Sequence, residues 1–214
     1  MEQAFQDLDN WLKTAQMPNG KKKVLKAALE LFSKQGYDGT STAQIAETSG
    51  MSQATIFKYF KSKDDLLLFI IEPIIEHILP VYGKTFAKQI QSNEHDLKEL
   101  IHFIVHNRYQ FLVQNKDAVM ILTTQILVND QIKGMFLKKI TSIKAIFLNN
   151  VWQALNDTKE LRSDLDVTQF LRLMIGQLLF YFLQNQRITP ERTAQQIESD
   201  LDQIETTVLR AINK

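Results

Sequence analysis

Between Gly36 and Leu66 the chain reads GYDGTSTAQIAETSGMSQATIFKYFKSKDDL, and three helix-start signals fall within about twenty of those residues. No other stretch restricts the fold as tightly. Ser41 is placed to accept from the free backbone N–H groups of a following helix, while Gln44, three residues on, reaches back to the cap. Ile45 and Ala46 then face inward. This helix stops before Gly50, which takes the left-handed conformation that a tight turn demands. Ser52 caps a second helix carrying Gln53, Ala54, Thr55, Ile56, Phe57, Lys58 and Tyr59, in which Ile56 and the following Phe60 pack and the others point out. Ser62 opens a third helix in an S-x-x-D box with Asp65. Two short helices meeting across one glycine turn, with a longer helix directly after them, make a helix-turn-helix.

The order of these residues resembles the DNA-binding domain of the TetR (AcrR-like) family of bacterial repressors. The chain supplies Gly36-Tyr37, Thr40-Ser41, Ile45-Ala46, Gly50-Met51-Ser52, Ile56-Phe57-Lys58-Tyr59-Phe60 and Ser62-Lys63 in the family's sequence of positions. The likeness covers roughly residues 21–68, and the remaining two thirds match only in helical layout. It implies an all-α protein, with an N-terminal three-helix helix-turn-helix domain and a C-terminal helical bundle for ligand binding and dimerisation.

Composition is consistent with that outline. A chain of 214 residues, 44% hydrophobic and 23% charged, buries a substantial core. The absence of cysteine removes disulfides, thiol nucleophiles and cysteine zinc sites, and suits a cytoplasmic protein. The first sixteen residues, MEQAFQDLDNWLKTAQ, are acidic and amphipathic, unlike a signal peptide, and no uninterrupted apolar run approaches a membrane span. The formal net charge is only +1, yet from Gly20 to Lys63 eight lysines (21, 22, 23, 26, 34, 58, 61 and 63) face Glu30, Asp38 and Glu47, a local excess of about +5. The basic patch coincides with the helix-turn-helix. A phosphate loop, H-E-x-x-H and a nucleophile elbow are all missing, so the chain is not read as an enzyme and no cofactor is implied.

In chain order, Phe5, Leu8, Trp11, Leu12 and Ala15 predict an extra N-terminal helix within an extension spanning 1–19, packed on the body or on a partner chain. Residues 20–66 form the helix-turn-helix domain, floored by an amphipathic helix over 21–35 that Gly36 closes. Residues 67–214 form the helical domain for ligand binding and dimerisation. It starts with a long connecting helix that Pro73 bends and Pro80 bends or ends. Helical periodicity recurs over 95–114, 117–128 and 131–156. Residues 166–185 are apolar on almost every face, and a last helix over 190–212 starts with Pro190 in its first turn and carries Ile197, Leu201, Ile204, Val208 and Ala211 in one stripe. The resemblance assigns these last two helices to a homodimer interface.

In this reading the second short helix lies in the major groove of double-stranded DNA. Gln53 suits adenine, the methyls of Ala54 and Thr55 suit thymine, and Lys58 reaches a guanine or a phosphate. Ser41 and Thr42 offer hydroxyls and N–H groups to a phosphate, and Lys21 to Lys23 offer charge. Gln44, Ser52 and Lys61 belong to the same face, and the resemblance puts Tyr59 and Lys63 on the DNA backbone. Two residues depart from the family pattern. Phe57 replaces the usual tyrosine, leaving a packing role, and Ala54 replaces a frequent glycine. One such head makes too few base contacts for specificity, so a dimer on a roughly palindromic site is expected.

The resemblance further implies repression released by a small apolar or amphipathic effector, which enters the C-terminal domain and shifts the connecting helix. Tyr109, Gln125, Gln177 and Tyr181 are the polar groups placed in that pocket. A regulator of the same fold controlled by protein partners is the alternative, and a filled C-terminal core would favour it. His102 and His106 share one helix face at i, i+4, but no third ligand is evident and no metal is assigned.

Overall fold

The computed structural model describes residues 8–91 and 96–214. Helices account for nearly all of them, and the described residues contain no strand, only an isolated antiparallel bridge between Leu161 and Asn213. The elements are α1 (Leu8–Thr14), α2 (Asn19–Gln35), α3 (Thr42–Ser49), α4 (Gln53–Tyr59), α5 (Lys63–Pro73), α6 (Leu79–Gln91), α7 (Leu97–Gln114), α8 (Lys116–Val128), α9 (Asp130–Ile146), α10 (Gln153–Asp157), α11 (Val167–Arg187) and α12 (Ala194–Ile212). π-Helical turns at Ile74–Ile78 and Phe147–Trp152 join α5 to α6 and α9 to α10.

These elements form two compact units, neither of them contiguous in sequence. The first takes the described residues through Tyr82 together with Asn115–Ile143, and the second takes Gly83–Gln114 with Lys144–Lys214. In the first unit α2 packs against α3, α4, α5 and α8. Val24, Leu25, Ala28 and Phe32 of α2 meet Ile45, Ile56, Phe60, Leu66 and Leu67 in its core, all buried. The extra N-terminal helix exists over Leu8–Thr14 and is laid on this body, with Leu8 and Leu12 buried and Trp11 6.0 Å from Phe69 between ring centroids. Phe5, the first apolar residue expected on it, lies outside the described residues.

The connecting helix is longer than expected. Neither proline ends it: helical backbone runs from Lys63 to Ile90. Proline removes an N–H and crowds the preceding turn, and the wider π turn between Pro73 and Pro80 absorbs both defects, with the Leu79 N–H donating to the Ile74 carbonyl. By length and composition this helix could cross a membrane, contrary to the reading of short apolar runs. Leu66, Leu67, Ile70, Ile71, Ile74, Ile75 and Ile78 are nevertheless buried within the protein, which is how a core helix meets the same criterion. Lys139 of α9 donates to Glu76 in the π turn at 2.8 Å.

In the second unit α7 packs against both α11 and α12. The helix starts here are capped as firmly as any. Asp166 accepts from the Thr168 and Gln169 N–H groups, and Thr193 forms a capping box with Gln196. The second of these moves a boundary: α12 begins at Ala194, and Pro190 lies in the turn after α11 instead of in the helix. A side-chain cap satisfies donors that a proline at the first position merely avoids needing. The apolar stripe of α12 is also used differently, because Leu201, Ile204 and Val208 are buried inside the unit.

Candidate nucleic-acid interface

All three serine caps form. Ser41 Oγ accepts from the Gln44 N–H at 3.2 Å, and Gln44 Oε1 accepts from the Ser41 N–H at 2.8 Å, closing the expected box. Ser52 Oγ accepts from the Thr55 N–H at 3.1 Å, and Ser62 Oγ from the Asp65 N–H at 3.0 Å. Asp65 reaches one residue further back than a standard box, taking the Lys61 N–H at 3.0 Å. Each cap contributes about 1 kcal/mol, a large part of the stability of helices only seven or eight residues long.

Two glycines set the path between the caps. Gly50 sits in the left-handed region at φ 66° and ψ 23°, turning α3 into α4. Gly36 closes α2 at φ 82° and ψ 162°, a region essentially closed to side chains. A third glycine, Gly20, acts through close approach, since a Cβ there would lie 2.9 Å from the Tyr59 hydroxyl. That contact seats Tyr59 at the start of α2.

With Ile45, Ala46, Ile56 and Phe60 buried, the outer face of α4 presents exposed Ser52, Gln53, Ala54, Phe57 and Lys58, with Thr55 half-buried. Thr42 Oγ1 and Gln53 Oε1 stand at 3.5 Å, a contact easily exchanged for another partner. Ser41 and Gln44 are exposed and Thr42 half-buried beside this face. Phe57 does not pack as expected. It is 49% exposed, an apolar ring on a face that is otherwise polar.

The lysines divide into two groups. Lys23, Lys26, Lys34, Lys58 and Lys61 are exposed, Lys34 paired with Glu30, whereas the three others serve the fold. Lys63, expected at the DNA backbone, donates to the Tyr37 and Thr40 carbonyls at 2.9 Å each and lies 4.1 Å from the centre of the Tyr37 ring. Lys21 stands over the rings of Phe69 at 3.8 Å and Phe60 at 4.9 Å, and Lys22 donates to the Lys13 carbonyl at the end of α1. Charge counting alone could not separate these groups, because the acceptors that hold Lys63 lie 23 and 26 residues away. Tyr37, which the sequence marked only as part of a pattern, donates its hydroxyl to Asp64. Burial first, and then this bond, raise its pKa well above the ordinary phenol value.

The family model for "Bacterial regulatory proteins, tetR family" matches residues 24–70, from within α2 into α5, a span that contains the three serine caps, Gly36, Gly50 and Lys63. The chain belongs to the TetR family. It is 28% identical over 171 residues to the HTH-type transcriptional repressor NicS of Pseudomonas putida, a match spanning 76% of this chain and 74% of NicS. HbdR of Aromatoleum sp. is 33% identical over 81 residues and YvkB of Bacillus subtilis 37% over 82, each over 38% of this chain and over 34% and 39% of their own lengths. Among solved structures, the ketosteroid transcriptional regulator KstR2 of Mycobacterium tuberculosis has the same fold, with a TM-score of 0.68 and 15% identity over 93% of this chain and 97% of KstR2. FadR of Bacillus subtilis in complex with stearoyl-CoA gives 0.56 and 18% over 88% and 95%. The protein is a transcriptional regulator of this family and not an enzyme.

Of the four polar groups expected in a ligand pocket, three lie in the second unit. The Tyr109 and Tyr181 rings stand 5.4 Å apart, and Asn185 Nδ2 donates to the Tyr109 hydroxyl at 3.1 Å. Gln177 and Tyr181 line an open cavity of about 250 Å³ between α11 and α12, with Arg192 and Asp200 on its wall. Its lining is more polar than a purely apolar effector requires. Tyr181 donates to Asp200 at 2.9 Å, and burial first, with that bond contributing, pushes its pKa up to about 12. Gln125 belongs to the first unit, where it is buried on α8.

Proposed function

We propose that this TetR-family regulator acts as a homodimeric repressor, with α4 read into the major groove of a roughly palindromic operator on cytoplasmic DNA. The observation that carries the reading is the face of α4, where Gln53, Ala54 and Lys58 are exposed on a helix fixed by Ser52, Gly50 and Ile56. Gln53 pairs with adenine, Ala54 and Thr55 meet thymine methyls, and Lys58 takes guanine or phosphate. Ser41, Thr42, Gln44, Ser52, Tyr59 and Lys61 set the register on the backbone. Lys63 acts indirectly, by holding the loop before α3 to the start of α5. Residues 20–66 serve as the DNA-binding domain and 67–214 as the regulatory and dimerisation domain.

Dimer contact falls to the last two helices, α11 and α12, where Ile175 and Phe180 of α11 are 55% and 65% exposed. Two heads are needed because one buries too little and reads too few bases. A small amphipathic effector bound in the C-terminal helices then controls occupancy, and a solved protein of the same fold carries stearoyl-CoA. The chain crosses between its two units at 82/83, 114/115 and 143/144, so α6 and α9 offer covalent routes for that control. Coupling of a few kcal/mol is enough to empty an operator.

Selection of tight-binding duplexes from a random pool tests this reading, followed by titration of the selected duplex with wild type and Gln53→Ala. The expected result is a palindromic consensus bound by two chains. The variant loses roughly 1–3 kcal/mol on that duplex and little on random DNA. Equal losses on both DNAs would refute the role given to Gln53, and a non-palindromic, salt-sensitive pool would refute the dimeric reading.

A further inference from the structure

We infer that the seam between α7 and α12 is a binding site for one divalent transition-metal ion of the zinc class, with His102, His106 and Glu205 as protein ligands. The two histidines sit one turn apart on α7 with ring centroids 4.1 Å from each other. The third ligand that the local sequence lacked comes from a helix a hundred residues away. Glu205 Oε2 lies 2.8 Å from His102 Nδ1, and one donor atom from each of the three residues lies within 4.8 Å of the others. Bonds of about 2.0–2.2 Å to a tetrahedral ion place ligand atoms about 3.3 Å apart, so donors within 4.8 Å of one another have about 1.5 Å or less to close.

The hydrogen bonds of His106 point the same way. Its Nδ1 lies 2.9 Å from the His102 carbonyl, which can only accept, so Nδ1 carries the proton. Its Nε2 lies 3.0 Å from a Glu198 carboxylate oxygen, which as an anion also only accepts. With Nδ1–H so placed, Nε2 is the ring nitrogen that carries the lone pair, the atom a cation takes, and Glu198 stands beside it. Fixing Nδ1–H on a backbone carbonyl while Nε2 faces outward is how proteins orient a metal-binding imidazole. Glu205 supplies a carboxylate almost wholly removed from solvent, a charge that is costly to leave without a partner, while Glu198 and Asp202 lie about His106. Two imidazoles with one buried carboxylate select zinc, nickel or cobalt over magnesium and calcium. On binding, His102 ligates through Nδ1 with its ring proton on Nε2, and His106 ligates through Nε2 with its ring proton on Nδ1.

The test uses full-length protein without an affinity tag, dialysed against chelator and titrated calorimetrically with Zn(II), with Mg(II) as the hard-cation control. Visible absorption of Co(II) reports the coordination directly. One Zn(II) per chain is expected, with a raised melting temperature and no saturable Mg(II) binding. His102→Gln and His106→Gln should each weaken Zn(II) by roughly 100-fold or more and Glu198→Gln by about 10-fold, with circular dichroism confirming that the helices persist. Failure to saturate at one equivalent overturns the inference, as does Zn(II) affinity unchanged in both histidine variants. The measurement contains no DNA, so its outcome is independent of the operator reading.

Discussion

The reading head and the α7, α11 and α12 bundle are both helical, yet their polar groups do opposite work. In the head, side-chain caps span three residues, from Ser41 to Gln44, Ser52 to Thr55 and Ser62 to Asp65, and the remaining polar groups of α4 face outward. In the bundle, polar pairs join distant helices: Tyr109 with Asn185 across 76 residues, and His102 with Glu205 across 103. There the apolar residues Ile175 and Phe180 are left outside. Short-range bonds free a surface for an outside partner that is polar, namely DNA. Long-range bonds consume polar groups internally and leave Ile175 and Phe180 exposed, the residues proposed above for contact with a second chain.

The largest effect should come from these two residues. Phe180→Glu places a charge in the proposed dimer contact and should cost about 2 kcal/mol or more of association, which sedimentation velocity would read as monomer where wild type is dimeric. An unchanged sedimentation coefficient would move the dimer contact elsewhere. Next comes a contrast between two lysines of the head. Lys63→Ala should lower folding stability by about 1–3 kcal/mol through its two lost carbonyl bonds, with little change in the salt slope of DNA binding. Lys61→Ala should leave stability alone and reduce that slope by about one. If the two variants traded behaviours in denaturant and salt titrations, the division between structural and DNA-facing lysines would be wrong.

Two caps sharpen the comparison further. Ser52→Ala and Thr193→Ala should each cost about 1 kcal/mol in thermal unfolding, but only Ser52→Ala should weaken operator binding as well. The smallest effect lies in alkali. Tyr181 is raised from an ordinary 10.0 to about 12, so the folded state favours the neutral phenol. Its contribution to stability is complete below pH 10 and disappears as pH rises toward 12, a loss that Tyr181→Phe removes. Spectrophotometric titration should show Tyr181 ionising late, and a normal titration would mean that the burial of its hydroxyl, with the Asp200 bond, does not persist in solution.

The helix-turn-helix was legible because its determinants are local. Ser41, Gly50 and Ser52 act on groups within three or four residues, so spacing alone fixes two helices and the turn between them. Legibility failed wherever a partner lay far along the chain. Lys63 looked like a surface charge because Tyr37 and Thr40 are not adjacent to it in sequence. Whether Pro80 bends or ends the helix stayed open because a π turn is not visible in apolar periodicity. Gln125 was grouped with Tyr109, Gln177 and Tyr181 on residue type, and only the folded chain assigns it to the other unit.

The sequence by itself therefore determined the helical class, the reading head and the family, since capping, glycine conformation and 3.6-residue periodicity are properties of short segments. Tertiary structure alone decided which lysines are free, which apolar stripe stays exposed and that Glu205 meets His102 and His106. Those depend on which distant helices come into contact, and the free energy of such contacts belongs to pairs of surfaces that no single segment contains.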